Sequence, residues 1–309
     1  MCRRASSGDT QIAARVEAIV ERVAREGDKA LYALAEEIDG VRLAALRVSE
    51  EEFSEAEQAV GEELKRAIDV AIANISAFHR AQLPHEVRVE TTAGVTCIQR
   101  PVPIGCVGLY IPGGTAPLFS TVLMLALPAS IAGCGRIVMC TPTDRNGRVA
   151  AEVLYAARQC GVGAVYKAGG AQAVAAMAYG TESIPKVDKI FGPGNRYVTA
   201  AKQMVSGRNT SIDMPAGPSE VMVMADRSAS PSFVAADMLS QAEHGRDSQA
   251  MVVCDDRAFA EAVAAEVQRQ AAMLSREDFV TDSLSHSRII VFDGRDQICL
   301  LYTSPSPRD

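Results

Sequence analysis

The chain has 309 residues, long enough for two domains with well-buried cores. Its 48% hydrophobic and 22% charged residues are the balance of a folded globular protein, and its net charge of -7 with no basic block argues against a nucleic-acid binder. Trp is absent and aromatics are few, whereas Ala, Val and Gly are plentiful, a mix suited to helices packed on parallel strands.

From Thr10 to Asp39 the spacing of Ile12, Val16, Ile19, Val20 and Val23 predicts a helix, interrupted at Gly27 and Asp28. Ser49 and Glu52 form a capping-box pattern that opens another. A third runs from Glu62 to about Ala81, with Leu64, Ile68, Ile72 and Ile75 on one face. The segment VRVETTAGVTCIQRPV then alternates around a central Gly and reads as a hairpin.

From Cys106 the pattern becomes an alternation of short apolar strands (CVGLYI, RIVMC, AVYKA, KIFG) with helical runs. A second set of strands follows: VMVMAD, AMVVCD and RIIVFD. The expected fold class is α/β, with two Rossmann-like doubly wound domains, the second incomplete, preceded by an N-terminal helical region. The expected boundaries are residues 1–105 for helices and hairpin, packing with the second α/β domain; 106–219 for the first α/β domain; 220–297 for the second; and 298–309 for a tail. A Gly/Pro-rich turn, PAGPSE, marks the boundary near Ser219. The tail ICLLYTSPSPRD breaks the pattern, because Pro305 and Pro307 forbid a regular helix, and it is expected to be disordered.

No two of the eight Cys form a C-x-x-C pair, which disfavours a Cys-based zinc site and suits free thiols in a reducing cytoplasm. The N-terminus lacks the apolar core of a signal peptide, and the apolar stretch Leu118–Cys134 contains Pro128 and reads as a buried helix, not a membrane span.

Four Gly/Pro-rich loops follow predicted strands: YIPGGTAPLFS, AGGAQA, FGPGNRYV and IDMPAGPSE. Such loops at the carboxyl ends of strands suit a nucleotide or phosphate-bearing ligand, although each also serves as a tight turn, and there is no GxGxxG fingerprint. In MLSQAEHGRDSQ, Gln241 and His244 lie three apart and share a helix face. Two donors do not complete a metal site of about four, so spacing alone favours a polar helix end. His79 falls at a helix end, His85 beside Pro84 and His286 in a polar loop.

The segment IDMPAGPSEVMVMADRSASPSFVAADMLSQAEHG, from Ile212 to Gly245, closely resembles the signature of histidinol dehydrogenases. The resemblance extends through GLYIPGGTAPLFSTVLMLALPASIAGC, GGAQAVAAMAYGTESIPKVDKIFGPGNRYVTAAK and REGDKAL, covering about Ile12 to Asp293. It implies a cytoplasmic, homodimeric enzyme of histidine biosynthesis that oxidises L-histidinol to L-histidinal and then to L-histidine with two NAD. It implies nucleotide contacts at Tyr110, Gln172 and Asn195, a substrate contact at Ser219, and zinc and substrate contacts at Gln241 and His244. The family's Glu-His acid/base pair and two further zinc ligands, Asp and His, have no counterpart here. The tail after Gln297 does not match the family, and His286 precedes the position of that pair. The chain is therefore expected to be a C-terminally truncated, inactive member. The competing expectation is a non-catalytic α/β fragment that binds a nucleotide or another ligand.

Overall fold

A computed structural model describes residues 9–113, 118–208, 210–215, 220–244, 248–274 and 277–302. The chain divides into two compact units, Met1–Ala216 and Gly217–Asp309.

The first unit opens with α1 (Asp9–Glu26) and α2 (Asp28–Leu34), separated by Gly27 at φ +56 and continued by a π-helical turn, Ala35–Asp39. The break is fixed by side chains: Glu182 accepts from Asp28 N at 2.7 Å, and Asp28 accepts from Ser183 N at 3.2 Å. Next come α3 (Glu50–Ala59), with the expected capping box at Ser49, and α4 (Glu62–Ala81). The predicted hairpin is present as β1 (Val87–Thr92) and β2 (Val95–Gln99), turning at Gly94.

The α/β part follows: β3 (Cys106–Tyr110), α5 (Phe119–Ile131), β4 (Arg136–Thr141), α6 (Ala151–Gln159), β5 (Val165–Lys167), α7 (Gly170–Tyr179), β6 (Lys189–Phe191), α8 (Arg196–Ser206) and β7 (Ser211–Ile212). The sheet is parallel in the order β5-β4-β3-β6-β7. One core, on one face, joins α1, α2, α7 and α8. The other joins α3, α4, α5 and α6. The helix after β3 thus lies on one face and the helix after β6 on the other. The loops of these neighbouring strands diverge at a topological switch point, where ligands of doubly wound sheets bind.

The N-terminal helices have packing partners inside the first unit. α1 packs on α7 and α8, α3 on α6, and α4 on α5. Backbone bonds continue the contact. Lys167 N donates to Leu46 O at 2.7 Å and Val48 N to Val165 O at 2.9 Å, covering the β5 edge of the sheet. The physical reason is an edge strand with unpaired backbone groups beside helical faces that need an apolar partner.

The second unit comprises β8 (Glu220–Met224), α9 (Pro231–Ala242), β9 (Gln249–Cys254), α10 (Arg257–Ala271), α11 (Glu277–His286), β10 (Arg288–Val291) and α12 (Arg295–Tyr302). Its strands form a parallel sheet, β10-β9-β8, over a core that includes Val234, Met238, Val252 and Val263. Two expectations change here. His286 ends α11 instead of lying in a loop, and residues 295–302, partly placed in the tail, form a helix that buries Ile298. The apolar run ICLLY suffices for two turns before the Pro residues; residues 303–309 lie outside the described residues.

Candidate nucleotide site at the carboxyl end of the first sheet

Tyr110 ends β3 with its side chain buried in the core shared with α7. Its hydroxyl accepts from Gly170 N at 3.1 Å, occupying one of the free donors at the start of α7. Burial pushes the phenol pKa up to about 12. Gln172, in the first turn of α7, is also buried, and its amide nitrogen donates to Asp39 Oδ2 at 3.3 Å. Asp39 is an exposed residue whose carboxylate is partly shielded. That burial raises its pKa, while the bond from Gln172 opposes the rise. Tyr110 and Gln172 are therefore brought together around Gly170, with both side chains engaged inside the protein.

Gly192 follows β6 at φ +131, and a Cβ there would fall 2.1 Å from Tyr110 O. Only glycine lets the two chain segments pass so closely. Asn195 caps α8, its side-chain oxygen accepting from Tyr197 N at 3.0 Å and Val198 N at 3.1 Å. The N-terminus of α8 is thus set beside a cavity of about 240 Å³ lined by residues including Gly192, Gly194, Lys202, Asp213 and Met214.

Lys202 and Asp213 are functional candidates that sequence spacing does not single out. The Lys202 ammonium is buried, donates to Gly192 O at 2.8 Å and pairs with Asp213. Asp213 Oδ2 accepts from Gly192 N at 2.8 Å. The pair joins α8 to the segment after β7, eleven residues apart, with no periodicity that reveals it.

In the second unit, Gln241 sits in the last turn of α9, and His244 lies just past its C-cap, Glu243. The expected shared helix face is thus a helix end: His244 N donates to Gln241 O at 3.2 Å in the closing turn. His244 is exposed. Gln241 Nε2 is buried and has no hydrogen-bond partner among the described residues. Among the described residues there is no group of three or more His, Cys, Asp or Glu placed to hold a metal. Ser219 lies outside the described residues.

A sequence model described as histidinol dehydrogenase matches residues 2–307. The chain belongs to the histidinol dehydrogenase family. It is 55% identical to histidinol dehydrogenase of Bacteroides thetaiotaomicron over 292 residues, 94% of this chain and 68% of that protein. It is 53% identical to the Aliivibrio fischeri histidinol dehydrogenase over 297 residues, 96% of this chain and 67% of that one. The crystal structure of histidinol dehydrogenase from Elizabethkingia anophelis superposes with a TM-score of 0.90 at 45% identity, covering 97% of this chain and 68% of that chain. The chain thus spans about two thirds of the length of these histidinol dehydrogenases, which are oxidoreductases. The family match to residue 307 also corrects the expectation that everything after Gln297 is foreign to the family. No helix among the described residues is long and apolar enough to cross a membrane.

Proposed function

We propose that this chain carries the nucleotide-binding part, and half of the zinc-binding part, of a histidinol dehydrogenase: the NAD-linked oxidation of L-histidinol through L-histidinal to L-histidine, in the cytoplasm. The observation that carries the nucleotide assignment is the gathering of Tyr110, Gln172 and Asn195 at the carboxyl end of a parallel doubly wound sheet, around its switch point. Tyr110 and Gln172 act in this reading from within the protein. They fix Gly170 and the start of α7, while Asn195 fixes the start of α8. The positive dipole ends of the two helices then suit the anionic part of the cofactor.

The zinc assignment rests on Gln241 and His244. An amide oxygen and an imidazole nitrogen are suitable neutral donors, and the two residues lie together at the end of α9. Bound zinc supplies a template for the substrate's nitrogen atoms. Gln241 and His244 supply half of a four-ligand shell, so zinc is held weakly by this chain alone. The family's Glu-His pair has no counterpart in this sequence. A positioned base contributes about 10²–10⁴-fold, so the chain as given is read as inactive towards histidinol.

The homodimer proposal is supported by the hairpin. Every residue of β1 and β2 is exposed, Val87, Val89, Val95 and Ile98 included, and a two-stranded hairpin has little stability of its own. A second copy of the chain covers that surface in this reading.

Calorimetric titration with NAD, with and without zinc, tests the assignment, alongside an assay for NADH formation from histidinol. Expected are saturable NAD binding, loss of affinity in Asn195→Ala, and no turnover. Absence of NAD binding at millimolar concentration in a folded sample would refute the nucleotide reading. Turnover would refute the claim that the chemistry needs a pair this chain lacks.

A further inference from the structure

Gly192 is held on both sides by charge. Its N–H donates to Asp213 Oδ2 at 2.8 Å, and its carbonyl accepts from Lys202 Nζ at 2.8 Å. The two holding groups pair with each other, and Lys202 is 4% exposed. A buried ion pair is costly to desolvate, and apolar residues of similar volume often replace one without loss of stability. Stability alone therefore gives weak grounds for charges at this place.

The location gives a stronger one. Gly192 adopts φ +131, outside the range that most backbone favours, and passes directly over the end of β3 at Tyr110. Three residues later Asn195 caps α8. A rotation of the Gly192 peptides would carry the whole 192–195 loop, and with it the α8 N-terminus, away from the switch point. Lys202 approaches from α8 and Asp213 from the segment after β7, so the two side chains lock the loop to separate elements. Both groups also line the 240 Å³ cavity.

We propose that Lys202 and Asp213 are positioning residues: their ion pair clamps the 192–195 loop in the shape that receives the dinucleotide, and sets affinity by holding the loop's backbone. This rests on the nucleotide reading of the site given above. Binding sites depend on such supporting groups because small displacements of the contacting atoms lose much of the affinity.

The test compares the 309-residue chain with two double variants. Lys202→Met with Asp213→Leu removes the clamp and leaves no buried charge. Lys202→Met with Asp213→Asn removes the charges but keeps an acceptor for Gly192 N–H. Three quantities are read: thermal midpoint, hydrogen exchange of the backbone amides of 192–195 without ligand, and NAD affinity by calorimetry. The Met/Leu variant should melt within about 5 °C of the parent, exchange the loop amides faster, and bind NAD about tenfold more weakly or worse. The Met/Asn variant should recover part of both the protection and the affinity. If the Met/Leu variant does not fold, the Met/Asn variant alone decides, with intermediate values expected. Parent-like exchange in the folded variants overturns the clamp. Faster exchange with parent-like NAD affinity overturns its role in binding. If the parent itself does not bind NAD, the nucleotide reading fails and the role in NAD affinity fails with it, while the exchange data still decide whether the pair holds the loop.

Discussion

At the scale of single residues, the site depends on how closely the chain passes itself. Gly192→Ala would place a methyl group against Tyr110 O at a φ that L side chains rarely adopt, and backbone atoms on both sides cannot yield cheaply. We expect a loss of about 2 kcal/mol or more, read by chemical denaturation. Gly163→Ala, with nothing within 4 Å and no positive φ, should be near neutral. Tyr110 gives a separate prediction in pH. Burial moves its phenol from an ordinary 10 up to about 12, so the folded state keeps a proton that the unfolded chain releases. Stability conferred by the neutral phenol is complete below pH 10 and falls as pH rises towards 12. Tyr110→Phe should flatten the dependence of the denaturation midpoint on pH in that window; an unchanged slope would mean that other groups, such as the buried Cys140 thiol, account for it.

Secondary-structure elements show where sequence periodicity is sufficient and where it fails. The capping box of α3 was legible because Ser49 and Glu52 stand at fixed local spacing, and the structure has both of its bonds, at 3.3 and 3.0 Å. The ion pair of the same Glu52 with Lys167 at the end of β5, 2.6 Å, was not, because it joins distant parts of the chain. Ser49→Ala should therefore cost about 1 kcal/mol, the ordinary value of a lost N-cap. Glu52→Ala should cost more, since it also strands a Lys167 side chain that is only 10% exposed. Denaturant titration of both variants checks the order, and equal losses would show that the Lys167 pair contributes nothing. The long strands of both sheets were readable as apolar runs. β7 was not, since two residues carry no period. α11 was missed because its polar SLSH segment resembles a loop. For the candidate site the loops were visible as Gly/Pro clusters and the residue roles came from family resemblance. The Lys202–Asp213 pair and the burial of Tyr110 and Gln172 are tertiary facts with no local signal.

For the molecule as a whole, the two units differ in how well each is enclosed. The first has a five-stranded sheet covered on both faces by separate cores, with the β5 edge covered by the 46–48 segment. Among the described residues the second has three strands and one core, and β8 alternates between exposed and half-buried residues along its length. Fewer covered faces mean less apolar area removed from water to offset chain entropy. We therefore expect the Gly217–Asp309 unit to unfold at lower urea than Met1–Ala216. The sequence supplies the probes. There is no Trp, and of seven Tyr all but Tyr302 lie in the first unit, so Tyr fluorescence reports chiefly on that unit. Far-ultraviolet circular dichroism reports on the helices of both units. The dichroism should begin to fall while Tyr fluorescence is unchanged, and NAD should move the fluorescence transition to higher urea by binding only the folded first unit. Coincident transitions by both probes, shifted together by NAD, would show instead that the two units unfold as one cooperative body.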